Sequence, residues 1–182
     1  MNMKRLHRDQ RGFSILELLL VMILTGLITT AITTTFFQVF NMNTRTANHM
    51  IAVSQVQQAG KLVSEDMMEA QADRIDDNPP GAFLKLGWIA HNSTILHEVT
   101  YTLEDGELWR SESIDGGAPT MTRVAEYIDP AETSCCCDCD SDGYCDVGCD
   151  CDGGALIFTV TATVGEESET RVYEVKPRPG SY

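Results

Sequence analysis

Apolar residues fall into three successive patterns along the chain. After Glu17 no charged side chain occurs until Arg45, and the 27 residues between them, beginning LLLVMILTGLITTAITTTFFQVF, show no polar face. As a helix at about 1.5 Å per residue such a run reaches roughly 40 Å, more than the roughly 30 Å hydrocarbon core of a bilayer, which predicts a transmembrane helix. Past Arg45 the apolar positions thin to Ala52, Val56, Ala59, Val63, Met67 and Ala70. Their spacing of three or four residues draws one stripe along an amphipathic helix continuous with the first. A single helix over about residues 14–75 is expected, with two helices broken near Asn41–Asn43 as the alternative. It should stop in Asp76-Asp77-Asn78-Pro79-Pro80-Gly81, where consecutive prolines remove donors and push Asn78 out of the helical region.

The third pattern has period two. Thr94 to Leu103 alternates, Glu104-Asp105-Gly106-Glu107 carries the Asp-Gly hairpin signal, and Leu108 to Ser113 returns. Ala155 to Val164 alternates again, a turn follows at Gly165, and Arg171 to Lys176 closes a second hairpin. An antiparallel sheet of four or more strands must cover its apolar face, and the helical stripe is the natural cover. The expected fold is therefore α+β: a long N-terminal helix whose first half spans the membrane and whose second half packs against an antiparallel β-sheet head.

Charge separates the chain further. Overall it holds 13 basic and 27 acidic residues, a net of −14. Residues 1–12 carry Lys4, Arg5, Arg8 and Arg11 against Asp9, a local +3, which leaves 9 basic against 26 acidic residues beyond, hence −17. So acidic a body excludes nucleic acid as the main partner, because such binders displace counterions with basic surface. The basic N-terminus and acidic remainder orient the helix by the positive-inside rule, N-terminus in the cytoplasm and head outside.

Within the apolar run the threonines (Thr25, Thr29, Thr30, Thr33, Thr34, Thr35) can return their hydroxyls to carbonyls one turn back, and with Gly26 they permit close helix approach. Glu17 is costly if it enters lipid unpaired; it reads either as a functional intramembrane acid or as a residue snorkelling to the headgroups. Its setting is Arg11-Gly12-Phe13-Ser14-Ile15-Leu16-Glu17, with the basic run and Gly before the apolar stretch. A secretory signal would place its cleavage site after that stretch.

This arrangement resembles the type IV prepilin signal. The resemblance implies cleavage after Gly12 by a membrane-embedded prepilin peptidase, N-methylation of the new N-terminal Phe13, and an assembly role for Glu17 at the fifth mature position. The Glu17 carboxylate of one subunit could pair with the Phe13 amine of a neighbour, so that two costly charges become tolerable only in the correct axial register. The implied division is a basic leader over 1–12, the transmembrane and assembly half over 13–40, the amphipathic half over 41–76, and a head over 77–182. Ser64–Ala70, Val99–Ser111, Val124–Ile128 and the final hairpin ending at Arg178 are similar in pattern to the larger minor pilins and pseudopilins of J-type and W-type, and no proline occurs between Met1 and Asn78. Implied partners are other pilin or pseudopilin subunits through the N-terminal helix, the peptidase, an inner-membrane assembly platform and lipid. The implied location is the inner membrane as a single-pass protein, then an extracytoplasmic filament of type IV pilus or type II secretion kind.

Residues 135–152 read CCCDCDSDGYCDVGCDCD and are expected to form a loop. All seven cysteines lie here: Cys135, Cys136, Cys137, Cys139, Cys145, Cys149 and Cys151. Outside the cytoplasm disulfides persist, so three bridges with one thiol left over are expected, the odd one open to pairing between subunits. Asp138, Asp140, Asp142, Gly143, the Tyr144 carbonyl and Asp146 have the spacing of an oxygen-ligand calcium loop. Position 12 is Cys149 instead of the usual Glu, so Asp150 would have to substitute. Ca2+, a solvated acidic loop, and thiolate zinc through Cys136-x-x-Cys139 and Cys149-x-Cys151 all stay open. No enzyme is expected, since His7, His49, His91 and His97 form no ligand spacing and neither a nucleophile elbow nor a phosphate loop occurs. The rival from another class is a monomeric membrane-anchored metal-binding protein in which the helix is only a tether.

Overall fold

The computed structural model describes residues 14–77, 79–90, 93–138 and 154–179. The chain forms two compact units, one up to Thr44 and one from Arg45 onward. Helix α1 (Ile15–Glu69) runs unbroken through residues 41–43, as expected for a stretch with no internal proline.

In the first unit the helix stands alone. Its threonine hydroxyls all donate back to carbonyls in the preceding turn, among them Thr29 to Thr25 at 2.8 Å, Thr30 to Gly26 at 2.9 Å and Thr35 to Ala31 at 2.9 Å. Every side-chain donor of the threonine run is thus satisfied inside the helix, the condition for lying in hydrocarbon.

In the second unit the rest of α1 packs on strands. β1 (Ile75–Asp76), β2 (Leu84–Ile89), β3 (Leu96–Glu104), β4 (Glu107–Ile114) and β5 (Thr120–Ala125) make a five-stranded antiparallel sheet in that order. β6 (Ser134–Asp138), β7 (Ala155–Val164) and β8 (Glu167–Val175) make a second, three-stranded sheet. One expected sheet is therefore two, joined where Ile128 bridges Ala162 and Asp129 donates to the Thr161 carbonyl at 2.9 Å. The β3–β4 hairpin turns at Asp105 and Gly106, with φ of 51° and 77°, the two positive values of a type I′ turn.

The helical stripe Ala52, Val56, Ala59, Val63, Met67 and Ala70 is fully buried, against Leu84, Leu86, Val99, Tyr101, Leu108, Leu156, Phe158 and Val160 in one continuous core. Gly60 sits on the same stripe because a Cβ there would lie 2.0 Å from the Tyr173 ring, whose hydroxyl donates to the Val56 carbonyl. Only glycine admits that ring edge-on to the helix.

The helix ends at Glu69, earlier than the Asp76–Gly81 stop expected from the prolines. Non-local pairing captures the backbone first. Gln71 N–H donates to the Gly87 carbonyl, Ala72 N–H to the Arg178 carbonyl, both at 2.9 Å, and Ile75 and Asp76 pair with Leu86 and Lys85. Neither β2 nor β5 was expected, and β8 begins at Glu167, four residues before Arg171. Cys135, Cys136, Cys137 and Asp138, read as the start of a loop, belong to β6 and pair with Phe158, Ile157, Leu156 and Ala155 of β7.

Candidate functional site

Gly12 and Phe13 lie outside the described residues, and the described chain starts at Ser14. Ser14 precedes the first helical residue. Its hydroxyl accepts the Leu16 N–H at 3.4 Å and its carbonyl accepts those of Glu17 and Leu18 at 3.0 and 3.1 Å. Ser14-x-x-Glu17 is the spacing of a capping box, so Glu17 stands exposed in the first turn where the positive end of the helix dipole favours an acid. Ser14 was missed in the sequence, though its signal, Ser three residues before Glu at the head of an apolar run, was plain.

All residues from Ser14 to Thr44 are exposed, including Leu19, Leu20, Ile28, Phe36, Phe37 and Phe40. A contiguous apolar surface of that extent marks a membrane or an assembly contact. The helix is long and apolar enough to cross a membrane. Nothing stands within 4 Å of where a Cβ would be at Gly26, which leaves the backbone open to a neighbouring helix.

The cysteine–aspartate segment enters the structure only through β6. Cys135 is a free thiol packed against the core, its pKa pushed up by burial and by the Asp77 charge. A thiol held in its protonated form is a weaker nucleophile than a free one. Cys136 and Cys137 are disulfide-bonded. Asp138 is buried at the end of β6. Cys139, Cys145, Cys149 and Cys151, with Asp140, Asp142, Tyr144, Asp146 and Asp150, lie outside the described residues. Among the described residues no group of three or more metal-binding side chains occurs.

One polar cluster escaped the sequence reading. Asp66, on the buried side of α1, accepts Arg110 Nε at 2.7 Å and Nη2 at 3.1 Å, and accepts the Tyr101 hydroxyl as well. Arg110 also donates to Glu112 at 2.7 Å, Glu112 faces His97 Nδ1 at 3.4 Å, and His97 stacks on Trp88. Burial and then the Asp66 charge push the Tyr101 hydroxyl well above its ordinary range. The Arg110 hydrogen bond holds Glu112 below the ordinary carboxylate range. A bidentate, desolvated pair of this kind fixes α1 on β3 and β4. It has no catalytic geometry: it fastens helix to sheet. An open cleft of about 470 Å3 beside Pro79, Pro80, Phe83 and Pro130 and one of about 300 Å3 beside Asp73, Arg74, Lys85 and Glu98 contain no His, Cys or Ser.

Residues 7–33 match the family model described as the prokaryotic N-terminal methylation motif, the signal of type IV pilins and pseudopilins. The match is confined to residues 7–33, and that motif supports a type IV pilin-like precursor of the kind processed by prepilin peptidase. No curated protein and no solved structure matches the chain.

Proposed function

We propose that this chain is a minor pilin or pseudopilin, a structural subunit of a type IV pilus or type II secretion-like filament. Cleavage falls after Gly12, Phe13 becomes the methylated N-terminus, and Glu17 pairs with the Phe13 amine of a neighbour. The precursor waits in the inner membrane with its acidic head outside, and an assembly platform moves it into the filament. The match over residues 7–33 carries this reading. The uncharged, uncovered half of α1 supports it, because it offers lipid before assembly and other helices after it.

The test has two arms. Replacing Gly12 with a bulky residue is expected to leave uncut precursor in the membrane, and normal processing of that variant would sink the reading. Glu17→Val is expected to be cleaved yet left out of the filament, since pairing with the amine is lost. Wild-type incorporation would contradict the pairing. Mass spectrometry of the mature N-terminus separates the rival tether carrying calcium in residues 138–150: methylated Phe13 decides for the pilin, Met1 for the tether.

A further inference from the structure

The edge strands of the two sheets differ in how well they are protected. β1 covers two residues only, and β8 carries Glu167, Glu169, Arg171 and Glu174, charges of the kind that resist edge pairing. β5 keeps such features toward its ends, Pro119 before it and Arg123 with a register shift after it, and leaves Thr120, Met121 and Thr122 bare. Thr120 to Arg123 are all exposed, Met121 at 63%. Both faces of this stretch and one edge are thus open, whereas strands ordinarily gain from half-burial. Among the described residues nothing bonds to the outer edge of Thr120–Arg123. The stretch stays extended because its far end is pinned. Val124 and Ala125 are buried, Glu126 N–H donates to Gln55 Oε1 on α1 at 2.8 Å, and Tyr127 turns the chain away at a φ of 61°. Ile128 N–H then donates to the Gly106 carbonyl and Thr163 N–H to the Tyr127 carbonyl, both at 2.8 Å. A row of alternating backbone donors and acceptors is a template for a further strand, and holding it in advance lowers the entropy cost of pairing.

We propose that β5 accepts an extended, basic segment of another protein as a sixth strand of its sheet. The open backbone edge fixes the form of the guest, and the charges around it fix its sign. On β4 and beside β5 stand Glu107, Glu112, Asp115 and Glu126, with Arg110 and Arg123 as the cations. Arg123 is held by Glu107 at 2.9 Å and by Glu126 at 2.6 Å, and Arg110 is held by Asp66 and Glu112, both at 2.7 Å. His97 also faces Glu112. Between Gln55 and Asp66 on α1, Lys61 and Glu65 offset each other. Carboxylates therefore outnumber the guanidinium groups, and both guanidinium groups are already paired, so a basic guest is favoured and an acidic one repelled. A second copy does not fit that description. Its own β5 offers one basic residue, Arg123, already paired, on a body with 9 basic against 26 acidic residues beyond residue 12.

The test uses the full chain in a neutral detergent and three capped peptides: KTKTVTKTK, its acidic counterpart ETETVTETE, and KPKPVPKPK, which keeps the charge and cannot form a ladder. KTKTVTKTK is expected to bind saturably and to slow amide hydrogen exchange at residues 120–123 by at least about tenfold. The other two peptides are expected to bind at least about tenfold more weakly. Equal binding of KPKPVPKPK, equal binding of ETETVTETE, or protection absent from residues 120–123 overturns the proposal. So does protection of those residues that grows with protein concentration in the absence of peptide, which would place a second copy on the edge. Met121→Pro and Thr122→Pro sharpen the result, because neighbouring N–H groups of a strand point to opposite sides. One of the two is expected to keep the wild-type Tm and to lose at least about tenfold in affinity for KTKTVTKTK, since it removes only a donor on the open edge. Wild-type affinity in that variant refutes strand addition. Binding is read on the unprocessed chain, so failure of the peptide leaves the filament reading standing, and failure of cleavage leaves this inference standing.

Discussion

The two stretches of α1, before and after Arg45, obey opposite packing logic. From Ser14 to Thr44 large residues such as Leu19, Ile28 and Phe40 project on all sides and none is buried. From Arg45 to Glu69 the buried positions form one narrow stripe, Ala52, Val56, Ala59, Gly60, Val63, Asp66 and Met67, and most of the exposed ones are polar, Met50, Ile51 and Met68 apart. A helix apolar all round needs a surrounding that is apolar all round, whereas one with a narrow stripe needs a single partner surface. The second stretch finds that partner within its own chain, in the two sheets. The first finds none among the described residues, and its back-bonded threonines ask none for their hydroxyls. What distinguishes the uncovered stretch from the covered one is thus the angular spread of apolar residues, since both are hydrophobic.

The same substitution on the two sides gives the largest contrast. Phe158→Ala should destabilise the head by about 3–5 kcal/mol, because Phe158 is fully buried between Phe83 and Tyr173. Phe40→Ala should leave denaturation of the full chain in detergent within about 0.5 kcal/mol of wild type. Equal losses would erase the distinction. Next comes the buried charge that only the covered stretch carries. Arg110→Leu leaves Asp66 without its cation and should fall toward the lower end of about 3–5 kcal/mol, since Tyr101 still donates; adding Asp66→Leu should recover most of it. A double variant as weak as the single would show that the pair contributes more than its mutual compensation.

The smallest effects come with pH. Tyr101 is raised in the folded state, so the stability it contributes is complete below about pH 10 and declines as pH rises beyond. Tyr101→Phe should flatten that alkaline decline in a pH series of melting curves. Glu112 is lowered, so its contribution is complete above about pH 4.3 and is lost on further acidification. Phe40→Ala should leave both limbs unmoved.

What the sequence disclosed follows the range of the interactions. The stripe from Ala52 to Ala70 and the Asp105–Gly106 hairpin are written in local periodicity, and both stand where they were read. The helix end was misplaced because Ala72 and Ile75 still suit a helix, while the groups that capture this backbone, at Gly87 and Arg178, are remote. β5 escaped because Thr120 to Arg123 are exposed at a sheet edge and show no alternation. β6 was hidden by composition, since a run of cysteines reads as low complexity before it reads as a strand. Asp66 and Arg110 are 44 residues apart, and an acid in Ser-Glu-Asp-Met looks like any solvated helical position. For the candidate site the basic residues, Gly12, Phe13 and Glu17 lie within one short stretch, so the motif matched over residues 7–33 was legible locally; Tyr127 acquires its backbone conformation only from three elements that meet around it.

The pairing of Asp138 with Ala155 has a consequence for how this head can vary. Those two residues form the last pair of the β6–β7 ladder, so the strands are already joined where the intervening sequence departs and returns. The entropy of closing such an excursion grows only as the logarithm of its length. A change in the number of residues between Asp138 and Ala155 is therefore expected to cost the β6–β7 ladder little, which melting curves of length variants would check.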